Sequence, residues 1–191
     1  MRTHLHGLVA AICGLSCCGL AQATPPPGWI VAGSAPTHYT VAVTATAPVP
    51  GSRSAAIAAK PTAPRRGFAT LMQTIAATRY QGRRVMFSGE LKTRDAGRAQ
   101  LWMRIDGPDH RVLAFDNMSA HPVTGTRPWR RYDVVLNVPK NSVDIAFGFL
   151  LAGRGKAWGS DFALRTVGLA TAATSRGPLL PLHPENLNFK Q

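Results

Sequence analysis

The sequence predicts an all-β protein, two antiparallel sheets packed face to face. Three observations predict it. Short runs alternate apolar and polar residues with a period of two. Chain-reversing residues separate those runs at short intervals. Helix-like periodicity competes only at Phe68–Ala77, which is Thr-rich and strand-like, and at Leu169–Thr174, a loose tail. Alternation gives each strand one oily face, and a second sheet is needed to cover it.

The chain opens with "MRTHLHGLVAAICGLSCCGLAQAT". Arg2, an apolar stretch from Leu8 to Leu20 and the small-residue site Ala21-Gln22-Ala23 predict a secretory signal over residues 1–23. The stretch is too short to span a bilayer, and no later segment is apolar enough, so no transmembrane anchor is expected. Cys13, Cys17 and Cys18 all fall inside the signal. Cys17 and Cys18 leave a lipoprotein reading open, although the residues before them fit a lipidation box poorly. After cleavage the chain has no cysteine and holds together by its core alone.

The domain is expected over residues 24–168, with about ten extended segments. "PPPGW" makes a stiff entry, and Trp29 anchors a first strand to Ala32. Tyr39–Ala45 and Ala55–Ala59 follow, divided by "PVPGS", then Thr70–Ile75. In Val85–Thr93, Val85, Phe87 and Leu91 oppose Met86, Ser88, Glu90 and Lys92. "RDAG" reads as a turn into Gln100–Asp106, where Ala99, Leu101, Met103 and Ile105 oppose Gln100, Trp102, Arg104 and Asp106. Val112–Asp116 lies between "DGPDH" and "HPVTGT". In Arg130–Val138 the inward set is Tyr132, Val134, Leu136 and Val138. Val143, Ile145, Phe147, Phe149 and Leu151 share one side of Asp144–Leu151. Ala157–Val167 places Trp158 on the parity of Phe162 and Leu164, hence in the core. Residues 169–191 are rich in proline without periodicity, an extended tail.

The segments "TLMQTI", "YQGRRVMFSGELKT", "LWMRIDG", "LAFDNM", "WRRYDVVLNVP" and "AFGFLLAGRGKAW" resemble, in order and pattern, carbohydrate-binding jelly-roll modules of the galactose-binding-like superfamily. The resemblance runs from "PPGW" to "VGL" and is to a narrower, poorly characterised bacterial exported group. It implies an antiparallel β-sandwich of the jelly-roll type. Such modules commonly begin with an Asn-x-Asp/Gly-Phe-Glu strand, which is missing before "PPPGW". "NLNFKQ", Asn186 to Gln191, either returns as that edge strand or marks the loss of a following domain.

In such modules a sugar lies across one sheet or in its edge loops. An aromatic face packs on the apolar side of the pyranose, and polar side chains bond its hydroxyls. Trp102 stands among polar residues, where it serves as a platform or lies under a loop with its indole N–H bonded to a carbonyl. If Val85–Thr93 and Gln100–Asp106 pair as a hairpin, Glu90 and Lys92 neighbour Gln100, Trp102 and Arg104. Trp129 is either a second platform or a plug at the sandwich end. Asp116 and Asn117 end a strand near Asp106 and Asp109, and with Asp161 they are oxygen donors that a structural calcium would use; otherwise they belong to solvated turns. His38, His110 and His121 lack metal-ligand spacing. No cofactor is expected.

Without Arg2 the chain carries 22 − 1 = 21 Lys and Arg against 9 Asp and Glu, or +12. That balance favours anionic partners or simply solubility. The basic residues are dispersed, so nucleic acid is not expected. Motifs for a nucleophile elbow, a metalloprotease helix and a phosphate loop are missing. The expected function is therefore that of an exported, periplasmic or secreted, non-catalytic module. It would bind a glycan or an acidic envelope polysaccharide through Trp102, Trp129, Glu90, Gln100, Arg104, Asp116 and Asn117. The alternative is a structural or protein-interaction module of the envelope. A third is a glycoside hydrolase, with Glu90 and Asp116 or Asp133 as its carboxylate pair.

Overall fold

A computed structural model describes residues 25–175. Nine strands account for the architecture of these residues: β1 (Ile30–Ala32), β2 (Tyr39–Thr44), β3 (Ser54–Ala59), β4 (Phe68–Ala76), β5 (Arg84–Asp106), β6 (Val112–Asp116), β7 (Val123–Asn137), β8 (Asp144–Ala152) and β9 (Lys156–Val167). Every pairing is antiparallel. The predicted signal and "NLNFKQ" lie outside the described residues.

The two segments expected to form a hairpin are one continuous strand, β5, of 23 residues. Its first half, Arg84–Arg94, pairs with β9 on one side and β7 on the other. Its second half, Arg98–Asp106, pairs with β8 and β6. One layer is thus β1-β4-β8-β5-β6 and the other β7-β5-β9-β3-β2, with β5 in both. "RDAG" is a bend and not a reversal. Asp95 has φ 51°, and the β5–β7 register shifts on both sides of it. An extra residue kinks a strand and raises its twist, which lets one strand leave a sheet and enter its partner. A Cβ on Gly97 would stand 2.6 Å from the carbonyl oxygen of Ala152, so the bend also needs a residue without a side chain.

Between the layers lies the core that alternation predicted. Val85, Phe87, Leu91, Leu101, Met103, Ile105, Leu136, Ile145, Phe149 and Leu151 are fully buried. Val143 lies exposed, just before β8 begins. Trp29 anchors the entry as expected, with its ring 5.4 Å from Phe162 and 6.4 Å from Phe147. Such aromatic pairs contribute roughly 0.5–1.5 kcal/mol beyond the area they bury.

Trp158 is not in this core. Asp161 has φ 52°, and two β9 residues stand opposite Gly89 where the β5–β9 register shifts. This bulge inverts the parity of β9. Ala157 belongs to the core and Phe162 packs against it, while Trp158 stands on the outer face under Lys92, Arg94 and Lys156. After β9 the chain runs back along β7, where Thr174 N–H donates to the Val135 carbonyl at 2.9 Å and the Val135 N–H donates to Thr174 Oγ1 at 2.9 Å.

Candidate binding groove

The outer face of the β1-β4-β8-β5-β6 sheet carries a groove of about 560 Å³. Register assembles it. Trp102 on β5 stands opposite Gly148 on β8, which stands opposite Met72 on β4. Gln100 stands opposite Leu150, and Leu150 opposite Thr70. Along this face β8 offers small side chains, Ala146, Gly148 and Ala152, so the indole has room to lie down across it. Trp102 is 8% exposed and packs in a satellite cluster with Ala146, Leu150, Ala152, Phe68 and Met72. Its Nε1–H donates to Thr70 Oγ1 at 2.8 Å, and the Thr70 hydroxyl donates to the Phe149 carbonyl at 3.0 Å. The ring is therefore neither stranded on the surface nor sealed away. It lines the groove floor, held by a side-chain acceptor where the sequence suggested a loop carbonyl.

Polar groups surround that floor. Gln100 Nε2 donates to the Asn117 carbonyl at 2.6 Å, which ties β5 to the turn after β6. Asn117 Oδ1 accepts from Ser119 N–H at 3.1 Å, and Asp116 Oδ1 accepts from Met118 N–H at 2.8 Å, two side-chain-closed turns. Arg104 grips Asp106 Oδ2 through Nε at 2.9 Å and through its terminal nitrogen at 2.8 Å. The arginine side chain is 44% exposed and the aspartate 3%. Phe115, opposite Arg104 on β6, is 47% exposed and forms an open wall.

Beyond Arg104, Asp106 stands opposite Asp144. Burial first, and then the Asp106 carboxylate beside it, push the Asp144 carboxyl above the usual carboxylate range. Arg104 and His110 act in the opposite sense. Asp106 Oδ1 is buried without a hydrogen-bond partner among the described residues. The same residues contain no group of three or more His, Cys, Asp or Glu side chains arranged for a metal ion. Asp106 Oδ2 faces the Arg104 guanidinium, and Asp116 Oδ1 closes a turn.

Of the seven residues singled out in the sequence, the groove brings together Gln100, Trp102, Arg104 and Asn117. Asp116 lines an adjoining cleft of about 640 Å³ between the turn after β6, Asp133 and residues 173–175. Glu90 and Trp129 do not reach the groove. Glu90 is in the other half of β5, opposite Arg131 and Ser160, and Trp129 is on β7. The hairpin that would have brought Glu90 to Trp102 does not exist. Sequence reasoning missed Phe68, Thr70 and Met72 of β4 and Leu150 of β8. Their one local signal is a second apolar parity in "FATLM" and "FGFLL", overshadowed by the stronger inward set.

No family model matches the chain. It is 36% identical over 168 residues to a Bacillus subtilis (strain 168) protein described as the uncharacterized HTH-type transcriptional regulator YbfP, a match that covers 86% of this chain and 57% of that one. The chain thus spans little more than half of that relative's length. Among solved structures, it superposes on the enzymatically active domain of bacteriophage CBA120 tailspike protein 4. The TM-score is 0.59 and the identity 15%, covering 74% of this chain and 20% of that one. The CBM22-1 xylan-binding domain of Paenibacillus barcinonensis Xyn10C gives a TM-score of 0.53 at 15% identity, covering 76% of this chain and 90% of that domain. The fold is that of a carbohydrate-binding-module-like jelly roll. At such identity the likeness is one of fold, and the function has to be argued from the site.

Proposed function

We propose that this chain is an exported, non-catalytic module that binds a glycan along the groove of the β1-β4-β8-β5-β6 sheet. One observation carries the reading. An apolar floor containing an indole, with Met72, Phe68 and Leu150, is flanked by Gln100, Arg104, Asn117 and Ser119 on an open sheet face. Apolar floor and polar margin match the two sides of a pyranose. Neither Asp nor Glu lines the groove, which supports binding over glycoside hydrolysis, since hydrolysis needs two carboxylates about one sugar. The predicted signal supports export, and no helix among the described residues is long and apolar enough to cross a membrane.

The test is titration calorimetry of the folded chain against a panel of neutral and charged oligosaccharides. Phe115→Ala changes an exposed wall and leaves the floor in place, whereas Arg104→Gln also takes the ion partner from buried Asp106, so a thermal melt confirms that it is folded before titration. Each is expected to weaken binding by about ten-fold, roughly 1.4 kcal/mol. Trp102→Phe should weaken it further. Equal affinity in wild type and all three variants overturns the groove as the site.

A second reading rests on the Bacillus subtilis relative, whose name is that of a transcriptional regulator. The described residues here contain no α-helix, so the module would be the ligand-sensing part of such a protein and not its DNA-binding part. Binding to a free mono- or disaccharide but not to polymer favours this reading.

A further inference from the structure

The groove does not end at its last apolar residue. Arg98 and Ala152 line it and also line a second pocket of about 400 Å³, whose other walls include Arg65 and Arg154. Arg66 stands on the groove side of the same junction. Arg65, Arg66, Arg98 and Arg154 are all exposed, and no Asp or Glu lines either concavity. Among the described residues the ion pairs are Arg104–Asp106 and Arg131–Asp161, so none of these four arginines has a carboxylate partner there. The nearby Asp95 is occupied elsewhere, its Oδ1 accepting from the Thr126 hydroxyl at 3.2 Å.

The turns that carry these arginines are tied together. The buried Tyr39 hydroxyl stands 2.7 Å from the Gly67 carbonyl and 2.9 Å from that of Gly153. Gly153 N–H also donates to the Gly67 carbonyl at 2.9 Å, and Gly97 N–H to the Arg154 carbonyl at 2.9 Å. Like charges gathered on braced backbone repel one another unless an anion joins them, and a planar guanidinium matches a carboxylate edge to edge.

From this we infer that the arginine pocket seats the carboxylate of an acidic sugar, so that the preferred ligand is a uronate-bearing glycan with its neutral ring on the Trp102 floor. The inference rests on the groove reading and adds the substrate class. Solvent-exposed arginines bind through charge, so affinity for the acidic glycan falls as salt rises from about 0.05 to about 0.5 M, while affinity for a neutral one does not.

The experiment titrates the chain with an oligogalacturonate and with a neutral galacto-oligosaccharide of matched length, at both salt levels. Arg98→Gln and Arg154→Gln are compared with Arg165→Gln, which removes the same charge from the other sheet. The expected result is an acidic preference that Arg98→Gln and Arg154→Gln each reduce by about ten-fold and Arg165→Gln leaves in place. Equal affinity for the two glycans, or equal effects of all three substitutions, overturns the inference. Neutral binding that still depends on Phe115 then leaves the groove reading standing. Conversely, acidic binding that follows Arg154 but ignores Phe115 and Arg104 keeps the pocket as an anion site and overturns both the groove reading and the placement of the neutral ring on the Trp102 floor.

Discussion

Thr70→Val removes one oxygen from beneath Trp102 and changes little else in shape. Thr70 is 3% exposed and the indole 8%, so water does not replace what is lost. In wild type Thr70 Oγ1 accepts from the indole N–H at 2.8 Å and donates to the Phe149 carbonyl at 3.0 Å. Valine keeps the β-branch and the strand propensity of β4 but leaves the indole N–H buried and unpaired. A buried donor stripped of its partner costs about 1–3 kcal/mol, more than the net value of the bond itself. A loss of about 2 kcal/mol in a domain of this size lowers Tm by about 4–8 °C. Urea and thermal melts measure it, and Trp102→Phe completes a double-mutant cycle. Phenylalanine has no N–H to strand, so the double variant should be more stable than the sum of the single losses by about 1 kcal/mol. A Thr70→Val loss under about 0.5 kcal/mol, with an additive cycle, refutes the claim that this hydrogen bond sets the ring in the groove floor.

Gly148→Ala should destabilise by about 1–3 kcal/mol at unchanged urea m-value, because its Cβ would stand 2.8 Å from the Met72 Cα. Asp144→Asn tests the carboxylate pair at the groove end. In wild type the folded carboxyl holds its proton above the ordinary value of 3.8, so the folded state binds more protons than the unfolded. Stability therefore falls as pH rises from 3.8 through the raised folded value. Asparagine removes that loss and brings a donor toward Asp106 Oδ1, so the Tm advantage of the variant should grow as pH rises above 3.8 and level off once the folded carboxyl has ionised. A constant difference would contradict the assigned shift.

Side-chain parity was legible because it is a local property. Ala99, Leu101, Met103 and Ile105 point inward as their alternation requires, which leaves Gln100, Trp102 and Arg104 together on the outer face. That much of the site follows from a period of two and nothing else. Parity failed where the backbone added a residue. The bulge at Asp161 moved Trp158 to the outside, and the bend at Asp95 turned an expected hairpin into one strand that serves both sheets. Aspartate enters the left-handed region more readily than most residues, but its presence does not say that a given one will.

Taken alone, then, the sequence determined that the chain forms antiparallel strands with one oily face each, and that a tryptophan sits opposite that face. Tertiary structure decided what the tryptophan does there. β8 lies far from β5 along the chain, and Thr70 of β4 is 32 residues from Trp102; only the pairing of β4 and β8 with each other and of β8 with β5 places Thr70 at the indole nitrogen and Gly148 opposite Trp102. It also joins Arg98 to Arg65 and Arg154 at one end of the groove. Strand order is set by contacts between distant segments, and alternation within a segment carries no information about which neighbour it will meet.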